Sequence, residues 1–103
     1  MKVIWSEMAR EGRRQISRYI GERFGLNREK VFKQKVEQSV TMIMNYPRIG
    51  SLDPLFADRQ EEYRSIVIDG LSKMVYRTDN DTLHIVAFWD CRRDPSTEAD
   101  SVK

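Results

Sequence analysis

The sequence predicts an α+β domain: a helical hairpin packed on one face of a largely antiparallel four-stranded sheet, in the order β-α-α-β-β-β. Three observations predict it. Residues 62–95 concentrate β-branched and aromatic side chains in three runs: Tyr63 with Ile66, Val67 and Ile68, then Val75 and Tyr76, then Ile85, Val86, Phe88 and Trp89. Turn chemistry separates the runs, Asp69-Gly70 first and Asp79-Asn80-Asp81 second, which makes them antiparallel neighbours. Upstream, apolar residues recur at helical spacing in two stretches joined by a very short link, the pattern of an antiparallel helical pair.

Each element has its own reason. Residues 2–5 form a short apolar run, and a strand there must join the sheet or leave its backbone unpaired. Ser6 offers an N-cap, and Glu7 puts negative charge in the first helical turn. Met8, Ala9, Gly12, Ile16, Tyr19, Ile20 and Phe24 then trace one helix face, with Arg10, Arg13, Arg14 and Arg18 opposite. Gly12 costs this helix about 1 kcal/mol relative to alanine and would permit close approach of another backbone. Gly25 is expected to end the helix in a left-handed cap, and Asn27 to cap the next one. In that second helix Phe32, Val36, Val40 and Ile43 step by three or four until Pro47 stops it.

Residues 46–61 read as irregular, and their length is unusual for a passive connection. Ile49, Leu52, Leu55 and Phe56 are expected to pin this segment to the body. In the strand after Gly70, Leu71, Lys73, Val75 and Arg77 share one side, with Ser72, Met74, Tyr76 and Thr78 on the other. The cations Lys73 and Arg77 therefore line a surface, and the sheet face away from the helices is expected to be at least partly open.

Composition sets the outer limits. The 103 residues fit a single domain over 1–95, with a small polar tail at 96–103 expected to fray. A formal charge of +2 permits an anionic partner without demanding one. One cysteine, Cys91, excludes an internal disulfide and suits a reducing cytosol. No apolar run approaches the roughly 20 residues of a membrane span, and residues 1–10 do not read as a signal peptide. A cytoplasmic location is expected, without membrane contact. With a single histidine and a single cysteine no metal site is credible, and no cofactor is expected. His84 has the chemistry of a general base but lies early in the last strand, where a structural role fits better. Cys91 has no base beside it in sequence and reads as an incidental thiol.

Five phrases in order resemble the RelE/ParE family of toxins from bacterial type II toxin–antitoxin systems, the family of plasmid-stabilisation proteins. They are Val3-Ile4-Trp5-Ser6, Tyr46-Pro47-Arg48-Ile49-Gly50, Tyr63-Arg64-Ser65-Ile66-Val67-Ile68, Met74-Val75-Tyr76-Arg77 and Arg92-Arg93-Asp94-Pro95. The resemblance covers residues 2–95. It implies a small cytoplasmic toxin that arrests growth and is neutralised by a cognate antitoxin, whose partly disordered segment wraps it. Two modes of action are implied: RelE-like cleavage of mRNA on the ribosome, and ParE-like inhibition of DNA gyrase.

Metal-free RNA cleavage needs a group to take the 2′-hydroxyl proton, cations for the crowded phosphate and an acid for the leaving oxygen. The nuclease branch tends to place a basic residue near the end of the strand before the hairpin, and often His or Tyr near the end of the last strand. Here those places read Val67-Ile68-Asp69 and Asp90-Cys91-Arg92-Arg93, with none of them in the expected place. The ending Arg-Arg-Asp-Pro looks closer to the ParE side, which implies binding of a macromolecular target. The alternatives are an mRNA endonuclease that stabilises phosphate with Arg64, Lys73, Arg77 and Arg92 or Arg93, and a degenerate member without toxicity. The same five cations have a plainer reading as solvated charge paired with Asp79, Asp90 or Asp94. The arginine row on the first helix likewise reads either as a nucleic-acid contact or as the wet face of an amphipathic helix. Trp5 and Trp89 read most simply as core or rim aromatics.

Overall fold

The last strand is the axis of the molecule. The computed structural model describes residues 1–70 and 72–91. Leu71, Arg92, Arg93 and the expected tail at 96–103 lie outside the described residues. The elements are β1 (Lys2–Trp5), α1 (Glu7–Phe24), α2 (Leu26–Asn45), β2 (Ser51–Leu52), a 3-10 turn (Pro54–Phe56), β3 (Arg64–Ile68), β4 (Ser72–Asp79) and β5 (Thr82–Asp90). They build one five-stranded sheet in the order β1-β5-β4-β3-β2. Only β1 runs parallel to its neighbour, pairing Lys2 to Trp5 with Thr82 to Ile85. The α+β class and the helical hairpin hold; the expected four strands become five. The additional strand is two residues long and arises inside the segment read as irregular. It forms because Gly50 lets the chain close on the sheet: a Cβ there would sit 2.7 Å from the Tyr76 hydroxyl and 2.9 Å from the Ser65 carbonyl.

A β-bulge in β5 explains why its side chains alternate imperfectly. Val75 pairs with Ala87 but Tyr76 with Ile85, so Val86 is the extra residue. Leu83, Ile85 and then Phe88 face the helices, whereas Ala87 and Trp89 face away. The bulge also seats α1. Ser6 donates its backbone N–H to Ile85 (2.9 Å) and its hydroxyl to the Val86 carbonyl (2.9 Å), while its oxygen accepts from Ala9 N (3.0 Å). One residue thus caps the helix and ties it to the strand. One step further on, Gly12 meets the Phe88 carbonyl so closely that a Cβ would lie 1.7 Å from its oxygen, which is the backbone approach its place in the sequence anticipated.

Between the helices and the sheet lie Ala9, Ile20, Phe32, Val36, Ile43, Met74, Tyr76, Leu83, Ile85 and Phe88. The other face is less open than expected. Residues 53–63 fold across it and bury Phe56, which stacks on Tyr63 (4.7 Å) and on Trp89 (6.2 Å). Phe56 and Leu55 pin the segment as expected, but Ile49 and Leu52 stay exposed, because the chain at 49–52 runs along the rim before it turns inward.

The turns differ in detail. Gly25 alone links the helices and caps both, with φ 98° and ψ 168°. Its φ is positive, but its ψ is not that of the left-handed helix; this is a region essentially reserved for glycine. With no second linking residue, α2 starts at Leu26 and Asn27 falls inside it, so no side chain caps α2. Asp69 and Gly70 both have positive φ, yet Ile68 pairs with Ser72, so this hairpin loop holds three residues instead of two. Lys35 of α2 forms an ion pair with Asp69 and ties that turn to the helix. Among the described residues no helix is long and apolar enough to cross a membrane.

Candidate functional site

The pairing of β3 with β4 decides where the strand cations point. Arg64 lies opposite Tyr76, and Val67 opposite Lys73. Residues directly opposite share a face, so Arg64 leaves the sheet on the helix side. Lys73 and Arg77 leave on the other, with Val75. The three do not converge. Arg64 and Arg77 line one cleft of about 410 Å³ at the strand ends, whose walls also carry Arg48, Glu61, Glu62, Tyr76 and Asp79. Lys73 lies elsewhere.

Arg64 is a brace. Its Nε and Nη2 bond Glu62 (2.9 and 2.8 Å), and its Nη1 donates to the carbonyls of Gly50 (2.7 Å) and Arg48 (3.4 Å). A planar fork suits such divided duty, and only 12 % of the side chain is exposed. Lys73 is a second brace. Its Nζ lies 2.8 Å from Asp53 Oδ2, and the Asp53 side chain is wholly buried. That contact is a charge pairing without hydrogen-bond alignment. Asp53 Oδ1 accepts from Leu55 N (3.0 Å), Asp53 N donates to the Tyr63 carbonyl (2.9 Å), and Nζ sits 5.5 Å from the Trp89 ring centre. Lys73 therefore fastens residues 53–63 to the sheet. Arg77 is the most available of the three: its nearest carboxylate, Asp79, is 4.0 Å away.

The cleft offers little acid–base chemistry. The Tyr76 hydroxyl donates to the Pro47 carbonyl (2.8 Å) and accepts from Gly50 N (2.9 Å). Burial pushes its pKa above the ordinary value, with the Gly50 hydrogen bond opposing. Arg48, Arg64 and Arg77 face Glu61, Glu62 and Asp79, so cations and carboxylates balance. His84 pairs opposite Arg77 in the adjacent strand. The Cys91 thiol is pushed up, first by burial, with Lys73 opposing, and is not poised as a nucleophile. Among the described residues no cluster of His, Cys, Asp or Glu is suited to a metal ion.

A second concavity, of about 870 Å³, lies between α1 and the first half of α2. It gathers Arg10, Arg13, Arg14, Arg18 and Lys33 around Trp5. The arginine row was visible in the sequence; the groove was not, because it depends on how the helices meet. Ser17 donates to Glu29 Oε2 (2.8 Å), and a Cβ on Gly21 would lie 2.5 Å from Glu29 Oε1. Two small residues on α1 thus receive the Glu29 carboxylate. Arg13 lies over Trp5 (5.0 Å), whose ring also stacks with Phe88 (6.3 Å between centres).

A helical hairpin on a mixed five-stranded sheet, with a charge-balanced cleft at the strand ends, defines a small α+β domain. The fold matches a solved structure titled "Chromosomal ParDE TA system from P. aeruginosa", with a TM-score of 0.68 and 13 % identity over 87 % of this chain and 95 % of that one. The sequence profile of the family described as "ParE toxin of type II toxin-antitoxin system, parDE" matches residues 3–95. The chain belongs to the ParE toxin family of type II toxin–antitoxin systems. No curated protein sequence matches it. The membership inferred from the five phrases is thereby established, on the ParE side of the RelE/ParE division.

Proposed function

We propose that this chain is the toxin of a ParE-type pair, arresting growth in the cytoplasm by binding a macromolecular target, with DNA gyrase the family's candidate. The family match over residues 3–95 carries this reading. The site supports binding over RNA cleavage. Tyr76 has its hydroxyl doubly engaged, and Arg64 and Lys73 are committed to internal partners. A cognate antitoxin neutralises the toxin by covering exposed apolar residues with an apolar segment. Tyr46, Ile49, Leu52 and Val67 are suitable targets, since all are exposed and β2 pairs only with Arg64 and Ser65 of the neighbouring β3 edge.

The test is induction of the chain without antitoxin, followed by mapping of mRNA ends and a DNA-damage reporter. Growth arrest with intact mRNA and an induced reporter supports the gyrase reading. Discrete cuts within translated codons would replace it with the nuclease. Normal growth at confirmed expression would leave a degenerate, non-toxic member.

A further inference from the structure

We infer that the groove between α1 and α2 is a docking surface for the sugar–phosphate backbone of double-helical DNA. Arg10, Arg14 and Arg18 are four residues apart on α1, so they form one row that advances about 6 Å per step. Arg13 flanks the row on α1 itself, and Lys33 faces it from α2. Against these five cations the lining holds two carboxylates, Glu22 and Glu29, and Glu29 is already engaged by Ser17 and Lys33. Arg10 and Arg18 make no ion pair among the described residues. Arg14 and Arg13 pair with Glu11 (2.8 Å) and Glu37 (3.1 Å), exposed carboxylates whose hold is weak and screened by salt. What remains is a line of guanidinium forks facing solvent, and a line of phosphates is its chemical complement.

The structure also selects among polyanions. Single strands bind by stacking bases on bare aromatic faces. Trp5 is the one aromatic ring among the lining residues, and it is occupied by Phe88 and by the Arg13 guanidinium. A duplex, which offers phosphates and keeps its bases inside, suits this surface better. Phosphates are the outermost charges of a duplex and the first groups a row of unanswered cations meets, so the contact inferred is to the backbone. The phosphates bordering the broad major groove of B-form DNA are open to a helix-borne arginine row, whereas those of A-form RNA flank a deep, narrow groove that gives a helix no comparable approach. This inference does not depend on which target the toxin inhibits.

The experiment is fluorescence anisotropy of a labelled duplex of about 20 base pairs titrated with the full chain between about 50 and 200 mM salt. The expected result is binding that tightens as salt falls. R10A/R14A/R18A should lose at least about tenfold in affinity at the lowest salt, and the slope of log K against log salt should flatten by about 0.9 per arginine removed. R10Q/R18Q changes only the two unpaired side chains and should lose about two-thirds as much on a logarithmic scale, with an unchanged circular dichroism melt. K30A removes one charge, against two in R10Q/R18Q, from an exposed site outside the groove and should stay within about twofold of wild type, less than half the R10Q/R18Q loss on a logarithmic scale. The inference is overturned by absence of duplex binding at the lowest salt, by equal losses in K30A and R10Q/R18Q, by equally tight binding of double-stranded RNA, or by poly-glutamate displacing the DNA at equal concentration of charge.

Discussion

The cleft at the ends of β3 and β4 and the groove between α1 and α2 are both rich in arginine, yet electrostatically they are opposites. In the cleft, Arg48, Arg64 and Arg77 meet Glu61, Glu62 and Asp79. In the groove, five cations meet two carboxylates. Strand cations lie close to turns and loops, and turns favour acidic residues for their own backbone reasons. Asp53, Glu62 and Asp79 therefore stand next to Lys73, Arg64 and Arg77 and answer them internally. The row on α1 is less fully answered: Glu11 pairs with Arg14 and Glu22 stands one step beyond Arg18, but Arg10 and Arg18 make no ion pair among the described residues. What separates the regions is the balance: three cations against three carboxylates in the cleft, five against two in the groove.

The strongest test of that contrast is Lys73→Ala. It strands the buried Asp53 carboxylate beside the sheet and should cost about 3–5 kcal/mol, read from urea unfolding midpoints. The double variant K73M/D53N should recover most of the loss. A cost below about 1 kcal/mol for the single variant would mean that Lys73 is no brace and would return it to the set of target-binding candidates. Arg64→Ala comes next, at about 1.5–3 kcal/mol, since it breaks charge-assisted bonds to Glu62 and to the Gly50 carbonyl. Arg64→Lys should not restore the melting temperature, because an ammonium does not reproduce the fork.

Arg77→Ala is the informative intermediate case. Its ion pair is long and half open to solvent, so the expected stability loss is under about 1 kcal/mol. If the cleft grips the toxin's target, this variant should relieve growth arrest while its melt stays near wild type. Unchanged growth arrest at equal expression would move target binding away from the cleft.

How much of this was legible beforehand follows from how local each feature is. Ser6 as N-cap and Gly12 as a contact point depend on near neighbours and stand as read, and Asp69-Gly70 does turn the chain, though in a loop of three residues instead of two. Strand β2 was not legible, because Ser51-Leu52 has no strand pattern and pairs only once Gly50 has let the chain approach Tyr76. The facing of the cations needed the register of β3 against β4, which side-chain pattern alone left open. The role of Lys73 needed Asp53, a partner from a segment read as irregular. The arginine row on α1 was plain in the sequence, but its hollow exists only because Ser17 and Gly21 receive a side chain from the other helix.

The smallest expected effect concerns that stitch between the helices. The Ser17 hydroxyl bonded to Glu29, opposed by partial desolvation and aided by Lys33, holds the Glu29 carboxyl below its ordinary pKa. A depressed carboxylate contributes stability above its unfolded-state pKa, and that contribution is lost as pH falls through the lower folded-state value. The wild type should therefore lose a small increment at the acid end of the carboxylate range. Glu29→Gln should lack that increment at neutral pH and show a flatter acid limb. Protonation also removes one of the groove's two carboxylates, so the same acid step should raise the chain's affinity for phosphate-rich ligands more in wild type than in E29Q. Parallel pH curves for the two proteins would mean that the Ser17–Glu29 bond does not set the charge of the groove.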